Sequence, residues 1–170
     1  VYHCEGHEII DGVQINCSDT SGHGDLSLRD ALKYSCNPAF MQLGRKIGAA
    51  TLYRYYDAFG LFDYTNFADI GDSGSSGESN SIFWNLDDVG SIELATMSFG
   101  QRFTITPLQL ITAISSIAND GKMVTPHVVK QIENPETGTI TNVETKEVRQ
   151  VISEETADKM KSIMQSVVEE

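Results

Sequence analysis

The sequence predicts an α+β fold in which helices dominate, and three observations carry that expectation. Two short β-rich runs surround the Asp11-Gly12 dipeptide and two more flank Asn134-Pro135-Glu136-Thr137-Gly138, so two β-hairpins are expected. Ser27 to Asp30 and Thr106 to Gln109 read as capping boxes that open helices. Behind such starts, apolar residues recur with helical rather than strand period.

In the first hairpin, Ile10 is expected opposite Val13, which sets Gly6 opposite Cys17. Cys4 and Cys17 then share a face, while His7 points to the other. Asp19, two residues past Cys17, returns to the Cys17 face if the strand continues, and His23 follows in the Ser21-Gly22-His23-Gly24 loop. Two thiols, a carboxylate and an imidazole can thus converge.

From Ser27 a short helix is expected through about Tyr34, followed by a break at Ser35-Cys36-Asn37. Asn37 suits the N-cap of a second helix, and Pro38 its first turn, because proline lacks an N–H that is not needed there. The break exposes a hydroxyl and an amide at a helix N-terminus, where free N–H groups favour anionic or carbonyl groups. Alone, a Ser-x-Asn pattern is equally a plain helix cap. Cys36 between them is expected to point away from both and to act as a small core residue.

The second helix runs from Pro38 to Ile47 with Phe40, Met41, Leu43 and Ile47 on its apolar side, and Gly48 stops it. Thr51 is expected to cap a third helix through Tyr53, Tyr55, Tyr56 and Phe59, the tyrosines packing at the core edge. Residues 71–81, small and polar, read as a surface loop. Glu93 to Met97 reads as a short helix before the Ser98 to Gln101 turn. The helix from Thr106 carries Leu110, Ile111, Ile114, Ile117 and Ala118 on a face broad enough to be central, and Asn119-Asp120-Gly121 ends it. His127 to Glu133 and Thr139 to Val143 form the second hairpin, with His127 structural or exposed. Ser153 caps the last helix, whose buried side is Ala157, Met160, Ile163, Met164, Val167 and Val168.

The formal net charge of -12, with basic residues scattered, excludes a nucleic-acid binder. No apolar run approaches the ~20 residues of a membrane span. Residues 1–170 are expected to be one partial domain, cut at both ends from a larger protein.

Ser35-Cys36-Asn37 with Pro38-Ala39-Phe40, then Ser98 to Gln101, then Thr106 to Leu110 and Ala118 to Gly121, resemble the transpeptidase domain of class B penicillin-binding proteins, a serine β-lactamase-like fold. The resemblance implies that the parent is a serine-type D,D-transpeptidase that cross-links peptidoglycan peptide stems through an acyl-serine intermediate and binds β-lactam antibiotics. It implies a parent anchored at the extracytoplasmic face of a bacterial membrane, in a cell-wall synthesis complex, serving division, elongation or sporulation. Such enzymes use Ser-x-x-Lys, Ser-x-Asn and Lys-Thr-Gly elements. Only the second occurs in these residues, so the piece by itself is expected to be inert. Ser35 would belong to the proton relay, and Asn37 would hold the bound amide. A non-catalytic binding or scaffold module with the same fold is the alternative.

Cys4, Cys17, Asp19 and His23 would suit a closed, structural zinc site, with His7 in reserve. A Cys4–Cys17 disulfide is the rival, because the resembling proteins work where thiols can oxidise, and plain buried thiols are the third reading.

Overall fold

The computed structural model describes residues 1–67 and 77–169, which pack as two compact units. The first unit comprises Val1–Asp57, Ile82–Thr104 and the stretch from Lys159, and the second comprises Ala58–Ser81 and Ile105–Asp158. The mixed helices and small antiparallel sheets bear out the α+β class.

The first unit begins with four short strands: β1 (Tyr2–Cys4), β2 (His7–Ile10), β3 (Val13–Asn16) and β4 (Gly24–Leu26). β2 and β3 form the expected hairpin, with Ile10 opposite Val13 and His7 opposite Asn16. The Cys17 N–H donates to the Gly6 carbonyl at 2.8 Å, which extends the register to the cysteines. β1 pairs antiparallel with β4, Cys4 opposite Gly24, a pairing that no turn signal announces.

Helix α1 (Leu28–Lys33) starts at the expected capping box, with Asp30 N–H donating to Ser27 Oγ at 3.2 Å and Ser27 N–H to Asp30 Oδ2 at 3.3 Å. Helix α2 (Asn37–Ile47) follows, and here the expected cap is corrected. Asn37 is the first helical residue and Cys36 the extended residue before it, because the Asn37 amide is engaged elsewhere, donating to the Asn16 carbonyl at 3.1 Å. Helix α3 (Ala49–Ala58) also starts earlier than Thr51, restarting immediately after Gly48, whose φ of 80° breaks the helix. Tyr53 and Tyr56 hydroxyls donate to the carbonyls of Trp84 and Met97, at 2.7 and 2.9 Å, as expected of core-edge tyrosines.

Helix α4 (Ser91–Met97) packs against α2. The approach is close because Gly44 has no Cβ, and one placed there would overlap the Ser98 side chain. Gln42 ties α2 to the strands, its amide nitrogen donating to the His3 carbonyl (2.6 Å) and to Glu8 (2.5 Å) while its oxygen accepts from His3 N–H.

In the second unit, α5 (Pro107–Ala118) is opened by the Thr106–Gln109 capping box and leads into β5 (Lys122–Val124). β6 (Gln131–Glu133) and β7 (Ile140–Asn142) form the expected second hairpin, whereas β8 (Glu147–Gln150), which pairs with β5, was not expected. His127 is structural, its Nδ1 3.0 Å from the Val129 carbonyl. Of the loop expected at 71–81, residues through 76 lie outside the described residues, and 77–81 have no regular structure.

Two apolar faces depart from expectation. α5 buries Gln109, Ala113 and Ser116, while Leu110, Ile111 and Ile114 stand 47%, 57% and 39% exposed. The reason is the Gln109 amide, which donates to the carbonyls of Leu61 and Asp63 at 3.2 and 2.8 Å and turns that stripe inward. In α6 (Glu154–Glu169), Ala157 is buried, but Val167 and Val168 are exposed and Ser166 takes the inner position, its hydroxyl returned to the Ile163 carbonyl.

The α2–α4 contact generates a prediction. Gly44→Ala lowers the unfolding free energy by about 1–3 kcal/mol, the cost of overpacking, despite alanine's better helix propensity. Ser98→Gly in that background recovers part of the loss in chemical denaturation; equal losses in single and double variants would contradict the contact.

Candidate functional site

The break between α1 and α2 is shaped by Ser35, a non-glycine residue at φ 50°. Its N–H donates to the Leu32 carbonyl at 3.1 Å, and the Cys36 N–H to the Ala31 carbonyl at 2.9 Å, which winds the end of α1 tightly. The chain reverses there, leaving Ser35 exposed and Cys36 fully buried at 0%. Asn37, half-buried, is oriented by its bond to Asn16, which occupies one of its two amide hydrogens.

Cys36 is buried among sulfur. Cys4, Cys17, Leu26, Ala31, Cys36 and Ala39 form one core cluster, and all three cysteines are free thiols. His23 enters the same space, so that the ligand atoms of Cys4, Cys17, His23 and Cys36 lie within 4.8 Å of one another. His23 Nδ1 is 3.6 Å from both Cys4 Sγ and Cys17 Sγ. Its ring stacks on Tyr34, the residue before Ser35, with centroids 5.5 Å apart and planes 12° from parallel.

The loop that delivers His23 depends on two glycines. Gly6 and Gly22 both have φ of 87°, and a Cβ on either would strike backbone, that of Thr20 and of Cys4 respectively. The loop after β3 thus lies directly on the turn after β1, which only glycine permits.

Electrostatically the thiols differ. Burial pushes the Cys36 thiol up to about 12. Burial also acts to raise Cys17, but the backbone N–H groups of Asp19 and Asn37 and the Ser18 hydroxyl outweigh it, and the thiol is held below its ordinary range.

Three thiols and one imidazole fit a closed tetrahedral zinc site in ligand type and number. The spacing fits too, since metal–sulfur and metal–nitrogen bonds of about 2.3 and 2.05 Å at tetrahedral angles give sulfur–nitrogen edges of about 3.6 Å. The ligand atoms would need deprotonation, which a bound cation enforces on thiols.

Of the residues singled out in the sequence, the structure brings Cys4, Cys17 and His23 together and leaves Asp19 out. Asp19 accepts from the Ser21 N–H (2.9 Å) and hydroxyl (2.6 Å), bonds that hold its carboxyl below the usual range on an exposed turn. The strand that would have returned it to the Cys17 face ends at Asn16. Cys36 stands in its place. The reading of Cys36 as a buried residue turned away from Ser35 holds, but its company was missed; a third cysteine among only three was the available signal. His7 is not in the cluster.

The penicillin binding protein transpeptidase domain model matches residues 2–170. Stage V sporulation protein D of Bacillus subtilis (strain 168) is 34% identical over 170 residues, 99% of this chain and 25% of that protein. Penicillin-binding protein PbpB of Mycolicibacterium smegmatis is 32% identical over 135 residues, 79% of this chain and 20% of that protein. Among solved structures, penicillin-binding protein A from M. tuberculosis, a ceftriaxone acyl-enzyme complex, superposes with a TM-score of 0.83 at 27% identity, over 98% of this chain and 37% of that one. The chain thus spans a quarter or less of the length of these two curated relatives. With a family match from residue 2 to residue 170, it belongs to the penicillin-binding protein transpeptidase domain family.

Proposed function

We propose that this domain serves a serine-type peptidoglycan D,D-transpeptidase, contributing the Ser35 proton relay and the Asn37 amide clamp, and that Cys4, Cys17, His23 and Cys36 hold a structural zinc ion beside them. The observation that carries both parts is Cys36. Buried between an exposed serine and a half-buried asparagine, it joins the thiol–imidazole cluster and the Ser-x-Asn segment in a single residue.

Acyl transfer from a serine requires that a proton reach the leaving amine, and a hydroxyl both donates and accepts. Ser35, exposed at a helix break, is suited to that step. Asn37 keeps its carbonyl oxygen and one amide hydrogen for the amide of a peptide stem or β-lactam, with its orientation set by Asn16. The nucleophile lies elsewhere in the protein, since these residues contain no Ser-x-x-Lys. Zinc would cross-link β1, the loop before β4 and the start of α2, steadying the strained Ser35 backbone without entering the reaction. The whole protein is read as membrane-anchored, working on the extracytoplasmic face within a cell-wall synthesis complex in sporulation or division; no helix among the described residues is long and apolar enough to cross a membrane.

Two predictions follow from the site. In the full-length protein, Ser35→Ala or Asn37→Ala slows acylation by a fluorescent penicillin or the transfer step by about 10²–10⁴. Intact rates in both folded variants would overturn the roles, as would a covalent penicillin adduct on the 170-residue chain alone, seen by intact mass. For the metal, protein purified under reducing conditions without chelator is expected to carry about one equivalent of zinc. Cys17→Ser and Cys36→Ser lower that occupancy, Asp19→Asn leaves it unchanged, and acidification releases the ion as thiolates and imidazole take up protons. Occupancy below about a tenth of an equivalent in well-folded protein, against the affinity usual for such sites, would defeat the zinc reading.

A further inference from the structure

The four groups of the thiol–imidazole cluster are not equally sheltered. Cys4, Cys17 and Cys36 are 2%, 5% and 0% exposed, and His23 is the one member of the four that is not buried. Glycines flank it on both sides, Gly22 at φ 87° and Gly24 at φ 69°. A Cβ at Gly22 would strike the backbone of Cys4 and Glu5, whereas one at Gly24 would meet nothing within 4 Å. With glycine neighbours, the imidazole takes its orientation from its own contacts.

Those contacts are few and well defined. Among the described residues, both polar contacts of the ring are at Nδ1, 3.6 Å from Cys4 Sγ and from Cys17 Sγ. Histidines that bind metals are ordinarily oriented by a partner on the other ring nitrogen. Here the orienting contact is the Tyr34 ring, stacked on His23 at 5.5 Å between centroids and 12° from parallel. Tyr34 is itself held in place. Its N–H donates to the Asp30 carbonyl at 2.9 Å at the end of α1, and Lys33 Nζ lies over its ring, 5.6 Å from the centroid. The ring is 47% exposed and stands outside the core cluster of Cys4, Cys17, Leu26, Ala31, Cys36 and Ala39, so core packing does not account for it.

We propose that Tyr34 is the positioning residue for His23, and that the stacked pair closes the thiol pocket, so that thiol reagents and metal ions reach the three sulfurs past the imidazole. The passage of metal ions rests on the zinc reading above; the closure over the thiols does not. Burial decides which group yields. Withdrawing a cysteine would take a sulfur out of the core, whereas turning His23 outward gives up one aromatic pair and leaves α1 and the sulfurs where they are. Opening of this kind is local, and it needs no unfolding of the unit. A closed site among buried thiols thereby gains a route for exchange.

The test uses the full-length protein, first metal-free and reduced. Alkylation of Cys4, Cys17 and Cys36 by N-ethylmaleimide is followed by peptide mass in urea concentrations below the unfolding transition. Tyr34→Ala is expected to speed alkylation about two- to tenfold, the worth of one aromatic pair, and Tyr34→Phe, which keeps the ring, to restore the wild-type rate. Tyr34→Leu takes the place of Tyr34→Ala if the latter does not fold. In a His23→Ala background the loss of the Tyr34 ring is expected to add nothing, because the ring acts through the imidazole. With zinc bound, release to a chelator is expected to quicken by a similar factor in Tyr34→Ala while occupancy at saturating zinc is unchanged. Alkylation in folded Tyr34→Ala at the wild-type rate, Tyr34→Phe as fast as Tyr34→Ala, additive effects of the His23 and Tyr34 changes, or rates that climb steeply with urea in every form, the mark of whole-unit unfolding, would each overturn the proposal. Protein that takes up no zinc yet shows ring-dependent alkylation would overturn the zinc reading and support the closure.

Discussion

The burial of Cys36 is the constraint on which the first unit depends. Cys36 lies between Ser35, whose φ of 50° is a conformation that costs a non-glycine residue about 1–2 kcal/mol, and Asn37, the first residue of α2. The strain persists because the neighbours over-determine it. The Ser35 and Cys36 N–H groups are both bonded back into α1, and the Cys36 side chain is locked at 0% exposure among Cys4, Cys17 and Ala39. Releasing the strain would mean withdrawing a sulfur from that cluster. Here the core of a small unit and the geometry of the Ser35–Asn37 segment are one structure.

That core is unusual in its materials. Its buried members are cysteines, alanines and a leucine, with Tyr2 packed at the edge, so it gains less from apolar area than a cluster of large aliphatics would. Thiols behave as small hydrophobes when unligated, and here three of them surround one imidazole. The glycines at 6 and 22 let a polar loop lie on a turn, and that loop carries His23 to the sulfurs.

Much of this was legible in the sequence, and for identifiable reasons. The Asp11-Gly12 turn sets the hairpin register locally, and the register in turn sets which cysteines share a face. Capping boxes at Ser27 and Thr106 announce α1 and α5 because the partners are three residues apart. Illegible were the features that need distant partners: the β1–β4 and β5–β8 pairings of three- and four-residue strands, and the end of β3 that turns Asp19 to Ser21 rather than to the thiols. Extrapolating strand alternation past Cys17 brought Asp19 to the thiols, whereas the winding at the end of α1, decided by Ser35, places Cys36 in the cluster instead.

Helix α5 shows the deeper limit of periodicity. Leu110, Ile111, Ile114 and Ile117 make one helical stripe, and Gln109, Thr112, Ala113 and Ser116 make another at the same spacing. Hydropathy favours the first stripe, yet the second is the inner one, with Gln109, Ala113 and Ser116 buried. Burying Gln109 is inexpensive because both ends of its amide are engaged: its oxygen takes the Thr106 N–H of the capping box and its nitrogen serves two carbonyls of the 61–63 segment. The same residue thus starts a helix locally and anchors it over nearly fifty positions of chain. Once Gln109 is fixed inward, helical geometry carries Thr112, one turn on, to the same side, where its hydroxyl is buried. A local cap therefore selects which stripe faces in, against the one that hydropathy alone would have chosen.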